Sequence, residues 1–384
     1  MFRIMVQTMT PLNRLGSATL LAVACLTIMV GCVIVPGLTR ISQALGVPEL
    51  ASWLVTLPSL GVVLFGPLAA KLLGRIGLRN GLRVGLIAYG VLGAGGMFLH
   101  REWLLLTDRL LLGGATALIM ASGTGLISHF YSGKQRLSMI ARQGMSIELG
   151  GVIFLFIGGL LASAGWQYPF LLYLFAWLLW GCVELTVPAE PRERPTPDDA
   201  KRNLRISRPL WLVYVAATLS MLSFFAAVIS LPRHLQPLGM SEAQVGYFLS
   251  FVSLVAVGAA ALMPKVSSRF GEVGTLVRAF VFYGIAHLLF YVGDTVGLYI
   301  LGGVALGIGF GLSVPLVNHM TVEQSHEIDR GPLLAYLSMA IFLGQFLSSL
   351  LEFVPGDGKA VFMAAVIAVL ASVTLARWHR ALRA

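Results

Sequence analysis

Apolar runs of about 20 residues alternate with short polar breaks, and the pattern recurs twelve times along the chain. A run of that length crosses a hydrocarbon core as an α-helix. A membrane barrel would instead show period-2 alternation over about ten residues per strand. The runs predict spans at 17–37, 51–73, 80–99 and 103–127, one within 139–163 and one within 166–185. The stretch PAEPRERPTPDDAKRNLRISRP, from Pro188 to Pro209, is rich in proline and charge and predicts a water-exposed linker. Six more runs follow, at 210–231, 245–263, 275–292, 296–317, 333–353 and 360–376. The expected fold is an all-α polytopic membrane protein with a six-helix bundle over 1–187, a linker over 188–209 and a second bundle over 210–384. The first run is span-length and lacks a small-residue cleavage site, so it reads as a first helix rather than a cleavable signal.

Composition removes other classes. Of 384 residues, 57% are apolar and 11% charged. A soluble domain carries about a quarter charged residues, and a disordered chain needs low hydrophobicity. The net charge of +10 then calls for an explanation. With both termini in the cytoplasm, 22 of the 27 Lys and Arg fall on that side. Four fall outside, Arg40, Arg101, Arg233 and Lys359, and Arg109 lies within a span. This is the positive-inside pattern of an inner-membrane protein. The basic groups are scattered over short loops that face anionic lipid, so the bilayer is the expected partner and nucleic acid is not. Cys25, Cys32 and Cys182 fall in apolar runs with no zinc spacing, and no metal or cofactor is expected.

The chain also repeats itself. A shift of 194 residues lays Lys71, Arg75 and Gly77 on Lys265, Arg269 and Gly271, Arg136 on Arg330, and Gly150 on Gly344. A shift of 193 lays Arg40, Gln43, Leu45, Gly46 and Glu49 on Arg233, Gln236, Leu238, Gly239 and Glu242. The second half therefore repeats the first in the same orientation, a transporter design with its site near the midplane. The loops after spans two and eight, GPLAAKLLGRIGLRNGL and PKVSSRFGEVG, each carry Arg-x-Gly (Arg75 and Gly77, Arg269 and Gly271). Glycine permits a tight turn there, and the arginine can bond carbonyl ends of neighbouring helices. Position and repetition point to gating loops.

The tandem loops resemble those of the major facilitator superfamily. So do Arg109-Leu-Leu-Leu-Gly113 in span four, GGLLASAGWQYPFLLY at Gly158–Tyr173 and RGPLLAYLSMAIFLGQFLSSLL at Arg330–Leu351. The likeness covers essentially the whole length and is nearest to the twelve-span branch that exports drugs and metabolites. It implies two six-helix bundles rocking about a cavity lined by spans one, four, seven and ten, with protons driving transport. It also links Arg109 to proton transfer. Two departures stand out. Gly74 and Ser268 replace the acidic residue that precedes the loop arginine in the family. Phe154 and Leu155 stand where its exporters carry Gly-Pro in span five.

Ionisable groups inside spans are costly and are functional candidates. Asp108 and Arg109 are adjacent, so their side chains leave the helix about 100° apart and need not pair. Glu148, about three turns into span five, suits a proton carrier. His287 reads as an interhelical packing histidine. Asn318 and His319 at the inner end of span ten, and Ser220 and Phe224 on span seven, are candidates for the substrate cavity. Arg40 and Arg233 stand at the outer mouth, and Glu352 reads as solvated near the outer surface. No phosphate-binding loop or hydrolase signature is present, so neither an enzyme nor a primary pump is expected.

The expectation is a monomeric secondary carrier that exports a small amphipathic molecule in exchange for protons. The alternatives are an importer of a small organic anion or siderophore, drawn in by Arg40, Arg109 and Arg233, and a non-transporting sensor or partner protein.

Overall fold

A computed structural model describes residues 12–188, 206–325, 329–356 and 358–383. Most of the linker, 189–205, lies outside the described residues. Among the described residues, 12 helices are long and apolar enough to cross a membrane. The helices are α1 (Arg14–Cys32), α2 (Leu38–Ala44), α3 (Ala51–Ile76), α4 (Leu78–Gly95), α5 (Glu102–Phe130), α6 (Gly133–Ala164), α7 (Tyr168–Leu171) and α8 (Phe175–Thr186) in the first half. The second half has α9 (Arg208–Leu235), α10 (Glu242–Phe270), α11 (Glu272–Val292), α12 (Val296–Glu323), α13 (Arg330–Leu350) and α14 (Lys359–Arg383).

Two elements differ from the pattern read along the chain. The first span stops at Cys32, and α2 restarts after Pro36-Gly37. Proline has no N–H to donate and pushes the residue before it out of the helical region, so the helix cannot run through. The sixth span is broken into α7, a tight turn over 172–174, and α8. Pro58, Pro67, Pro232, Pro264 and Pro315, by contrast, are held inside continuous helices, where neighbouring helices supply the lost support.

The repeat is visible in hydrogen bonds. Gly77 (φ 86°, ψ 163°) and Gly271 (φ 74°, ψ 166°) make the same turn. Each donates its N–H at 2.8 Å to the carbonyl four residues back, Leu73 and Ser267. Side chains rarely tolerate that φ, which explains the glycine in both loops. Arg136 Nη2 donates to Ser128 O at 2.8 Å, and Arg330 Nη2 to Val322 O at 3.5 Å. Both arginines cap the open carbonyls of a preceding helix end, where a cation is favoured. Cys25 Sγ donates to Ser146 O at 3.0 Å, and Thr218 Oγ1 to Ala340 O at 3.0 Å. All of these acceptors pair at the 194-residue shift.

The halves meet where α6 packs on α10 and α3 on α13. The closest approach is glycine on glycine: a Cβ built on Gly159 would stand 2.8 Å from Gly246 Cα and 2.9 Å from Glu242 O. Small residues of this kind let membrane helices touch along their backbones. Ser250 Oγ donates to Val152 O at 3.0 Å, and Phe156 stacks on Tyr247 at 5.0 Å. Trp53 meets Phe346 and Phe353 edge-on at 6.3 and 6.0 Å. Arg40 Nη1 lies 3.4 Å from Ala162 O and 3.9 Å from Glu242 Oε1. These contacts gather toward the end that carries Arg40, opposite the Arg75 and Arg269 loops. Residues 33–38 of the first half and 220–232 of the second are wholly buried at that end.

Candidate functional site

Three polar clusters lie within the spans. The first is Asp108–Arg109, about two turns into α5. The side chains do pair, although helix angles alone do not require it. Arg109 Nε and Nη2 donate to Asp108 Oδ2 at 3.1 and 2.6 Å. The long arginine folds back across the divergence, because an unpaired buried carboxylate costs far more than a bent side chain. Nη2 also donates to Leu92 O at 2.8 Å and Gly93 O at 3.2 Å on α4. The guanidinium lies 5.5 Å from the Phe170 ring and 5.6 Å from the Tyr173 ring. Arg109 is 0% exposed. A methyl group on Gly96 would run into it. It thus ties the third, fourth and sixth spans together, and the neighbours named here all belong to the first half.

The second cluster is Glu148. It sits about 22 Å along α6, near the middle of that helix. It is half-buried, on the helix that packs against α1 in the first half and α10 in the second. Two tyrosines link this region to Arg109. Tyr173 Oη donates to Val30 O at 2.8 Å and Tyr89 Oη to Leu26 O at 2.7 Å, and their rings are 5.6 Å apart. Sequence reasoning passed over both tyrosines, although Tyr89 falls on Tyr283 at the 194-residue shift.

The third cluster is in the second half. His287, Ser220 and Ser223 are fully buried, and His287 Nε2 lies 2.7 Å from Ser223 O. Phe224 is buried, with its ring 4.1 Å from Phe310.

The remaining candidates are dispersed. Asn318 and His319 are exposed near the Arg269 end: Asn318 Nδ2 donates to Val314 O at 3.0 Å, and His319 Nε2 is 3.7 Å from Glu272 Oε1. Arg75 and Arg269 are exposed at that end, and Arg269 leans over the Phe270 ring. At the opposite end Arg233 is exposed. Glu352, read as solvated, is instead half-buried: it accepts a hydrogen bond from Ser52 of the other half and feels Arg233 and His234. With Arg40–Glu242 it makes a second polar bridge between the halves. No residue distance along the chain signals that bridge, since Ser52 and Glu352 are brought together only by the packing of α3 on α13. Among the described residues, no cluster of His, Cys, Asp or Glu could hold a metal ion.

This geometry, two repeated six-span halves closed on each other at one end, has counterparts among solved structures. A D-xylose–proton symporter aligns over 94% of this chain and 96% of its own, with TM-score 0.75 and 16% identity. The peptide transporter POT aligns over 95% of each chain, with TM-score 0.74 and 13% identity. At such identities the likeness is one of fold. Among curated proteins, Protein TsgA of Escherichia coli O9:H4 (strain HS) is 28% identical over 243 residues. A Protein TsgA homolog of Enterobacter sp. (strain 638) is 27% identical over 197 residues. The first match covers 61% of this chain and 60% of the relative, and the second 50% and 49%. The chain thus spans less than two thirds of either relative's length. The family profile described as Major Facilitator Superfamily matches residues 19–349. A match of that extent, on a fold with 12 helices long and apolar enough to cross a membrane among the described residues, leaves one assignment: the chain belongs to the major facilitator superfamily.

Proposed function

We propose that the protein is a proton-coupled exporter of small amphipathic molecules, neutral or cationic, that works by alternating access in the bacterial inner membrane. The basic end, with the Arg75 and Arg269 loops, is placed in the cytoplasm on the charge asymmetry. The described form, closed at the Arg40 end, is then the inward-facing state.

One observation carries the reading. Glu148 is a half-buried carboxyl near the middle of α6, the helix that packs on α1 of its own half and on α10 of the other. The other acid at depth, Asp108, is neutralised by Arg109. A proton on Glu148 removes a charge from the junction of the halves. Any difference in its proton affinity between the two states therefore biases one of them. Arg109 holds Tyr173 against the first span and so positions the wall beside Cys32 and Glu148. Ser220, Phe224 and Asn318 supply candidate contacts on the opposite side. The importer reading depends on Arg40 and Arg233, but Arg40 lies 3.9 Å from the Glu242 carboxylate and so offers an anion less.

Ethidium accumulation in cells tests the proposal. Cells with the unaltered protein should hold several-fold less dye than cells without it, and an uncoupler should abolish the difference. Glu148→Gln should remove the uncoupler-sensitive part at equal protein level. Undiminished, uncoupler-sensitive export by Glu148→Gln would show that the proton is carried elsewhere.

A further inference from the structure

The two seams between the halves are related by the repeat but differ in how their polar groups are matched. Where α6 meets α10, Ser250 Oγ donates to Val152 O, and Arg40 Nη1 reaches Ala162 O and Glu242. Where α3 meets α13 the equivalent bond is missing. At the 194-residue shift Ser250 falls on Thr56 and Val152 on Phe346. Thr56 Oγ1 instead donates back to Ser52 O of its own helix at 3.1 Å. Trp53 Nε1, on the same seam, is buried with no hydrogen-bond partner.

Gln345 is the second unmatched group there. Its neighbour Gly344 seats α13 on Thr218 O of α9, as the equivalent Gly150 seats α6 on Cys25 of α1. One residue on, the halves differ. The first half has Gly151, with no side chain. The second has Gln345, whose side chain crosses the seam. A Cβ built on Gly31 of α1 would stand 3.2 Å from Gln345 Nε2 and 3.3 Å from Val55 O. Glycine at position 31 therefore leaves room for the amide. Gln345 is 3% exposed, and its carboxamide makes no hydrogen bond among the described residues.

An amide or indole N–H moved from water into an apolar seam without a partner costs free energy. Here that cost falls on one state. Both groups are covered by the opposite half, Gln345 by Gly31 and Trp53 by the edges of Phe346 and Phe353. Parting the halves at the Arg40 end uncovers them to water.

We propose that Gln345 is a positioning residue for alternating access. Its carboxamide, with the Trp53 indole, is stripped of water as the Arg40 end shuts and rewetted as it opens, which holds the closed form near balance with the open one. Contacts between α6 and α10 favour closure, and the unmatched groups between α3 and α13 oppose it. A modest difference in a ligand's affinity for the two states then moves the equilibrium. This inference rests on the alternating-access reading, but not on protons, Glu148 or the direction of transport.

The test reads the gap at the Arg40 end directly. Spin labels go on Gln43→Cys and Gln236→Cys, with Cys25, Cys32 and Cys182 changed to Ser. The full chain is held in lipid nanodiscs at pH 8 without substrate. Gln345→Leu keeps the bulk but needs no water, so the longer-distance population should fall at least threefold. Trp53→Phe keeps a ring and loses the N–H, so it should lower the population too, and the two changes together more than either. Gln345→Glu keeps the shape but places a carboxylate in the seam, so the population should rise at least threefold. Opposite shifts from one position separate this role from simple misfolding. Gln143→Leu, which removes a buried glutamine matched to Thr124 within the first half, should leave the distances in place. The same population in all three forms of residue 345, or no longer-distance population in the unaltered protein, overturns the proposal. Populations that follow this order without uncoupler-sensitive ethidium export would uphold the inference and sink the proposed function, and export with invariant populations would do the reverse.

Discussion

Arg109→Ala is expected to yield a protein that fails to accumulate in the membrane or, once extracted, unfolds at a much lower temperature. The guanidinium is fully buried, satisfies Asp108 and accepts no substitute for its bonds to Leu92 O and Gly93 O. Removing one partner of a buried pair costs about 3–5 kcal/mol, since the carboxylate is left uncompensated. Arg109→Lys should recover little, because an ammonium cannot repeat the Nε and Nη2 fork or lie between the Phe170 and Tyr173 rings. Asp108→Asn combined with Arg109→Gln should recover more than either single change. Thermal unfolding in detergent, read on the unaltered protein and each of these variants, checks this ordering. A stable Arg109→Ala that had lost only transport would move Arg109 from positioning the first half to handling protons directly.

Gly159→Val should abolish transport in a protein that folds normally. The new side chain would meet Gly246 Cα and Glu242 O at 2.8 and 2.9 Å, both backbone and both across the junction of the halves. Overpacking of this kind costs about 1–3 kcal/mol, and only in the state where the Arg40 end is shut. That shifts the balance of states about 5- to 150-fold toward the open form. The distance between spin labels on Gln43→Cys and Gln236→Cys, exposed repeat equivalents at the Arg40 end, should therefore lengthen, with ethidium export lost. Unchanged distances would mean that α6 and α10 can separate locally without moving the halves.

Much of the architecture was legible along the chain, for definite reasons. A hydrocarbon core demands about 20 apolar residues per crossing, so twelve runs meant twelve spans. The tandem repeat was readable because turns impose local demands: Gly77 and Gly271 must take φ near +80°, and Arg136 and Arg330 must cap helix ends. Pro36 ended the first span at Cys32, five residues before Gly37, a local effect that apolar length alone concealed.

What the sequence determined by itself was the number of crossings, the repeat, the charge asymmetry and the few ionisable groups at depth. Tertiary structure alone decided what those groups face. Most of their partners are backbone carbonyls, Leu92, Gly93, Ser223 and Val30, which every residue carries and no pattern marks. The physical reason is the solvent. In water an apolar face announces the core, but in lipid the inner and outer faces of a helix are equally apolar, and hydropathy cannot say which way Glu148 or His287 points.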